Sequence, residues 1–72
     1  MTSFEQEVNY IIKHGNVIES SVAELLLGHG TIREKAITLG LPFKRVRRIK
    51  AKLLTLVNES IHMSTQFSSE AI

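Results

Sequence analysis

Apolar residues recur along this chain at helical spacing. Phe4, Val8, Ile11 and Ile12 fall at i, i+4, i+7 and i+8, one stripe of an amphipathic helix. Ser3-Phe4-Glu5-Gln6 precedes them in the form of a capping box, with the Ser3 hydroxyl accepting a backbone N–H and Gln6 reaching back. Lys13-His14-Gly15 closes the helix, with cations at its negative end and a glycine free to adopt the left-handed conformation. Asn16-Val17-Ile18-Glu19 and Ser21-Val22-Ala23-Glu24 both offer starts for a second helix. The shared face of Ile18, Val22, Leu25 and Leu26 selects the earlier one, and Gly28-His29-Gly30 ends it. Thr31-Ile32-Arg33-Glu34 opens a third helix, whose buried face is Ile32, Ala36 and Leu39.

Gly40 then supplies a positive φ for a sharp turn, and Pro42 presets the first turn of a fourth helix. Its stripe is Val46, Ile49, Leu53 and Leu56 or Val57, which predicts an end between Asn58 and His62. Beyond Ile61 the Ser- and Thr-rich sequence has no period, which predicts a flexible tail over 62–72. Nothing alternates at strand spacing. The expected fold is all-α, a small bundle of about four helices with a long C-terminal helix, forming a domain over 1–61.

Charge singles out one stretch of this scaffold. The formal net charge is only +2, but residues 1–30 carry Lys13 against Glu5, Glu7, Glu19 and Glu24, whereas residues 31–52 carry eight cations against Glu34. A basic segment inside an otherwise acidic chain points to a polyanionic partner. With no cysteine, a disulfide framework and a thiolate metal site are both excluded. Residues 1–30 lack a cationic region followed by an apolar one, and no apolar run reaches the roughly 18 residues of a bilayer span. A cytoplasmic, nucleoid-associated protein is expected.

The basic stretch also has an internal grammar. Two helices joined by a tight turn need a small residue on the inner face of the first, a positive-φ residue in the turn, and inward apolar residues on the second. Ala36, Gly40, Val46 and Ile49 meet these demands at the fifth, ninth, fifteenth and eighteenth places counted from Ile32, with Leu39 and Leu41 at the eighth and tenth. In these places the chain resembles the bacterial and phage helix-turn-helix regulators. Over residues 17–54 it also looks like small plasmid and fimbrial regulators of the KorA (TrfB) and PapB types, through VAELLLGHG, an A-x-x-L-G-L-P motif and a basic helix. That resemblance implies a transcriptional regulator, commonly a repressor, acting as a homodimer or higher oligomer on operator DNA. Two places depart from the pattern. Lys35 stands where an apolar residue is usual and Ile37 where a polar one is usual.

The outward positions of the fourth helix carry the expected chemistry. Arginine binds guanine O6 and N7 bidentately in the major groove, and lysine or arginine neutralises phosphates. Phe43, Lys44, Arg47 and Arg48 are the base-reading candidates, Phe43 against a thymine methyl or sugar, with Ala51 on the same face. Arg45, Lys50, Lys52, Arg33 and Thr31 are the phosphate candidates, Thr31 together with the first N–H groups of its helix. Arg33 and Lys35 are the weaker ones.

Other chemistry has little support. His14, His29 and His62 are far apart in sequence, with no partner residues at metal-ligand spacing. The chain holds no aspartate and no nucleophile motif, so it is not expected to be an enzyme, and neither a cofactor nor a small-molecule ligand is expected. The apolar surface of Leu53, Leu54, Leu56, Val57 and Ile61 is wider than one stripe. It is either clamped by the first two helices or forms a homodimer seam, which would set two reading helices about one DNA turn, roughly 34 Å, apart. Two other readings use the same residues. FKRVRRIKAKLLTLV is also a basic amphipathic segment suited to an anionic membrane or a partner's groove, and a helix-turn-helix also serves phage DNA packaging or recombination.

Overall fold

The computed structural model describes residues 2–70, with side chains as far as His62. Four α-helices follow in order: α1 (Ser3–His14), α2 (Val17–Leu26), α3 (Ile32–Leu39) and α4 (Phe43–Glu70). The described residues contain no strand, and the fold is the all-α bundle that the hydrophobic spacing predicts. α1, α2 and α4 pack mutually, while α3 touches α2 and α4 but not α1. The molecule extends 48 × 21 × 19 Å, its length set by α4.

Capping decides where the helices begin. α1 is capped one residue earlier than Ser3. The Thr2 hydroxyl accepts from the Glu5 N–H at 3.1 Å, and Glu5 in place of Gln6 sits at the third helical position. A carboxylate in the first turn also complements the helix dipole, which Gln6 would not. α2 starts at the earlier of its two candidate boxes. Asn16 Oδ1 accepts from the Glu19 N–H at 2.8 Å, and the Glu19 carboxylate accepts from the Asn16 N–H at 3.1 Å.

The helix ends show three solutions. α2 and α3 close in Schellman motifs: the His29 N–H donates to the Glu24 carbonyl beside Gly28 at φ +81°, and the Leu41 N–H donates to the Ala36 carbonyl beside Gly40 at φ +66°. α1 ends differently. Gly15 is extended (φ −74°, ψ 171°) and not left-handed, and its N–H donates to the Ile11 carbonyl at 2.7 Å. A Cβ on Gly15 would lie 2.7 Å from that oxygen, so the close approach requires glycine here. The end of α4 is later than expected. With neither Gly nor Pro after Pro42, the helical backbone continues to Glu70, and the remainder of the expected tail, 71–72, lies outside the described residues.

The core is small. Val8, Val22, Ala23, Leu25, Val46, Leu53 and Val57 are buried, and among the described residues no fully buried side chain is larger than valine. Phe4, Ile11, Ile12, Leu26 and Ile61 pack partly against it. One expected core position is corrected and one open choice is decided. Ile18 remains 38% exposed while Ala23 takes the inward place; of Leu56 and Val57, it is Val57 that faces in. α3 contributes no fully buried residue, since Ile32, Ala36 and Leu39 cover the core edge from one side only.

Candidate nucleic-acid interface

Gly40-Leu41-Pro42 joins α3 to α4 in three residues. An eight-residue helix, this turn and the start of a longer helix reproduce the spacing read from Ile32. Gly40 holds the left-handed conformation that the ninth place demands. Val46, at the fifteenth, is wholly buried, and Ile49, Ala36, Leu39 and Leu41 pack partly on the core. Pro42 stands one place before the helix and not within its first turn. Its carbonyl accepts from the N–H groups of Arg45 and Val46 at 3.0 and 3.2 Å. The Phe43 and Lys44 N–H groups at the helix start have no intrahelical acceptor and point out of the positive end of the helix dipole.

Burying Val46, Leu53 and Val57 fixes the rotation of α4 and therefore what it presents. Lys44, Arg48 and Ala51 are exposed on the side turned away from the core, with Phe43 and Arg47 exposed on one flank and Arg45 and Lys52 on the other. Lys50 is half-buried, the least available of the six cations. Lys44, Arg45, Arg48 and Lys52 line a shallow depression floored by Pro42 and Ile49. Among the described residues none of these six cations enters an ion pair or a side-chain hydrogen bond. No acidic residue lies in the first turn of α4, so nothing local offsets the charge.

Two of the phosphate candidates look different in three dimensions. The Thr31 hydroxyl accepts from the Glu34 N–H and donates to the Glu34 carboxylate, both at 3.1 Å. An anion at the start of α3 would therefore meet a carboxylate already in place, and Thr31 is committed to capping. Arg33 is exposed on the same helix and carries no such commitment.

The two departures from the family pattern also separate. Lys35 reaches back to Glu24 on α2, with Nζ 2.9 Å from Oε1 and its own side chain only 18% exposed. Its stem runs past Gly30, where a Cβ would meet Lys35 Cε at 3.5 Å. An ion pair thus holds a lysine at a place that apolar contact usually fills, and it removes Lys35 from the phosphate set. Ile37, in contrast, is 78% exposed and does not meet α1.

Sequence reasoning missed Ser20. Its hydroxyl donates to the Ile12 carbonyl at 2.8 Å, from α2 onto the C-terminal end of α1. This bond satisfies a carbonyl that a helix end leaves free and sets the angle between the two scaffold helices. The only signal was a hydroxyl residue in the first turn of α2 after its cap. Of the histidines, His14 lies against Tyr10 on the exposed side of α1, with ring centroids 4.6 Å apart and the rings tilted by 42°, His29 lines a depression with Phe4 and Glu5, and His62 is exposed on α4.

No protein-family model matches the chain, and no curated protein or solved structure matches it either. No helix among the described residues is long and apolar enough to cross a membrane.

Proposed function

We propose that the chain is a sequence-specific, duplex-DNA-binding transcriptional regulator, acting as a repressor, whose α4 enters the major groove by its first turns. One observation carries this reading. Six cations without partners stand within ten residues of a helix that is held in helix-turn-helix spacing. Keeping like charges at i, i+3 and i+4 costs stability, and a polyanion offsets that cost. Phe43, Lys44, Arg47 and Arg48 are assigned to base edges, and Arg45, Lys50, Lys52 and Arg33 to phosphates. The resemblance to KorA- and PapB-type regulators supports action as a homodimer on operator DNA, in the cytoplasm and on the nucleoid.

The amphipathic alternative needs an uncommitted apolar face on α4. Val46, Leu53 and Val57 are already taken up by the core, and the apolar residues of α4 left exposed, with Phe43 and Leu54 on one side and Leu56 on the other, form no single stripe, so this reading is the weaker one. Selection of bound duplexes from a random pool tests the proposal. Enrichment of a defined, two-fold-related motif is the expected result, and a promoter beside the genomic copy of that motif separates a regulator from a packaging or recombination protein. Binding to anionic vesicles with no enriched duplex would overturn it.

A further inference from the structure

An apolar groove lies open between the start of α2 and the middle of α4. Ile18 and Glu19 form one wall; Ile49, Lys52, Leu53 and Leu56 form the other. Val17, beside it in sequence, is 79% exposed, and Ile18 and Leu56 are 38% and 49% exposed. Among the described residues the fully buried side chains stop at valine, while Val17, Ile18 and Leu56 stay exposed beside this groove, and a domain this small gains stability by burying more apolar surface.

The groove also carries one charge of each sign. Glu19 and Lys52 both line it, and they do not pair with each other. Glu19 uses Oε1 to accept from the Asn16 N–H, which leaves Oε2 available. A surface with an apolar floor and opposite charges on its two walls is complementary to itself under a two-fold rotation. Duplex DNA does not suit it, because Glu19 would face the phosphates. An acidic partner suits the basic face of α4 better than this mixed one.

We propose that the groove is the seam of a homodimer, in which each copy's Val17–Ile18 edge packs against the other copy's Leu56 and each Glu19 meets the other copy's Lys52. Leu54 does not belong to the seam. Two residues along a helix turn by about 200°, which sets Leu54 about 160° around α4 from Leu56. Phe43 and Arg47 lie on the Leu54 side by the same arithmetic and stay clear of the seam. The dimer would supply the two-fold symmetry in the proposed function, but it is measured without nucleic acid, so either idea can fail while the other stands.

Sedimentation velocity on the full chain, from about 1 to 100 µM as befits an interface at the small end of the range, tests the seam. The expected result is a monomer–dimer equilibrium. Leu56→Lys and Ile18→Glu should each raise the dimer dissociation constant at least tenfold, about 1.4 kcal/mol, while helical circular dichroism is retained; Leu54→Lys should leave it unchanged. Lys52→Glu, at an exposed position that leaves the core intact, should also dissociate the dimer, and adding Glu19→Lys should restore it. A monomer throughout that range overturns the proposal. So does a dimer indifferent to Lys52→Glu, or one that only Leu54→Lys disrupts.

Discussion

Gly15 and Gly40 both end helices, but physically they are opposite cases. Gly40 has a positive φ and nothing within 4 Å of where a Cβ would stand, so a substitution there meets only backbone strain. Gly40→Val should lower the melting temperature by the equivalent of about 1–2 kcal/mol, and Gly40→Asn by clearly less, because asparagine tolerates the left-handed region. Equal losses would mean that something other than φ selects glycine. At Gly15 φ is ordinary, yet a Cβ would meet the Ile11 carbonyl at 2.7 Å. Gly15→Ala should therefore destabilise although alanine is the better helix former, and unchanged thermal melting would show that the α1 end relaxes freely. Sequence reading located both glycines but gave them one explanation. Spacing signals a turn, whereas the close approach between a Cβ at Gly15 and the Ile11 carbonyl depends on the extended backbone by which the chain leaves α1. Lys35 teaches the same lesson. Its mismatch with the helix-turn-helix pattern was visible in the sequence, but its resolution rests on Glu24, eleven residues away. With partners 18% and 41% exposed, the pair should show a coupling energy of no more than about 1 kcal/mol in a double-mutant cycle.

Among the helices, α4 departs furthest from what stability alone would choose. Its first turn holds Lys44 and Arg45 where the helix dipole favours acids, and Lys44, Arg48 and Lys52 repel one another at i, i+4 and i+8. Each such pair costs a few tenths of a kcal/mol when unscreened. Without nucleic acid, raising sodium chloride from about 10 mM to 0.5 M, which shortens the Debye length from about 30 Å to a few ångströms, should raise the melting temperature. A fall on adding salt would mean that these cations have anionic partners in the folded chain. Both the order of the helices and the face that α4 presents were legible in the sequence, because burial of Val46, Leu53 and Val57 follows from the 3.6-residue period. The length of α4 was not. Ser and Thr are weak helix formers without being breakers, so composition beyond Ile61 did not mark where the backbone would stop.

Over the whole molecule, the proposed function predicts that salt acts in opposite directions on stability and on binding. Each phosphate neutralised on duplex DNA releases counterions and contributes about −0.9 to the slope of log K against log salt. Arg33, Arg45, Lys50 and Lys52 are the four side chains assigned to the backbone, which gives a slope near −4 for one copy; in a dimer whose seam pairs Lys52 with the partner copy's Glu19, three per copy remain and the slope is near −5. Replacing Arg33, Arg45 or Lys50 by glutamine should flatten the slope by about 1 per copy and weaken all sequences alike, with half-buried Lys50 giving the smallest change. Arg47→Ala and Arg48→Ala should instead cost about 1–3 kcal/mol on the selected site and much less on unrelated duplexes, since a bidentate contact to guanine is lost only where guanine is present. Arg48 is the sharper test of the two. It shares a depression with Arg45 and Lys52 as well as the outward face with Lys44. A uniform loss for Arg48→Ala would transfer it to the phosphate set, leaving Phe43, Lys44 and Arg47 as the residues that read the bases. Binding that ignores salt altogether would remove the helix-turn-helix reading, because six cations without partners would then have no part in it.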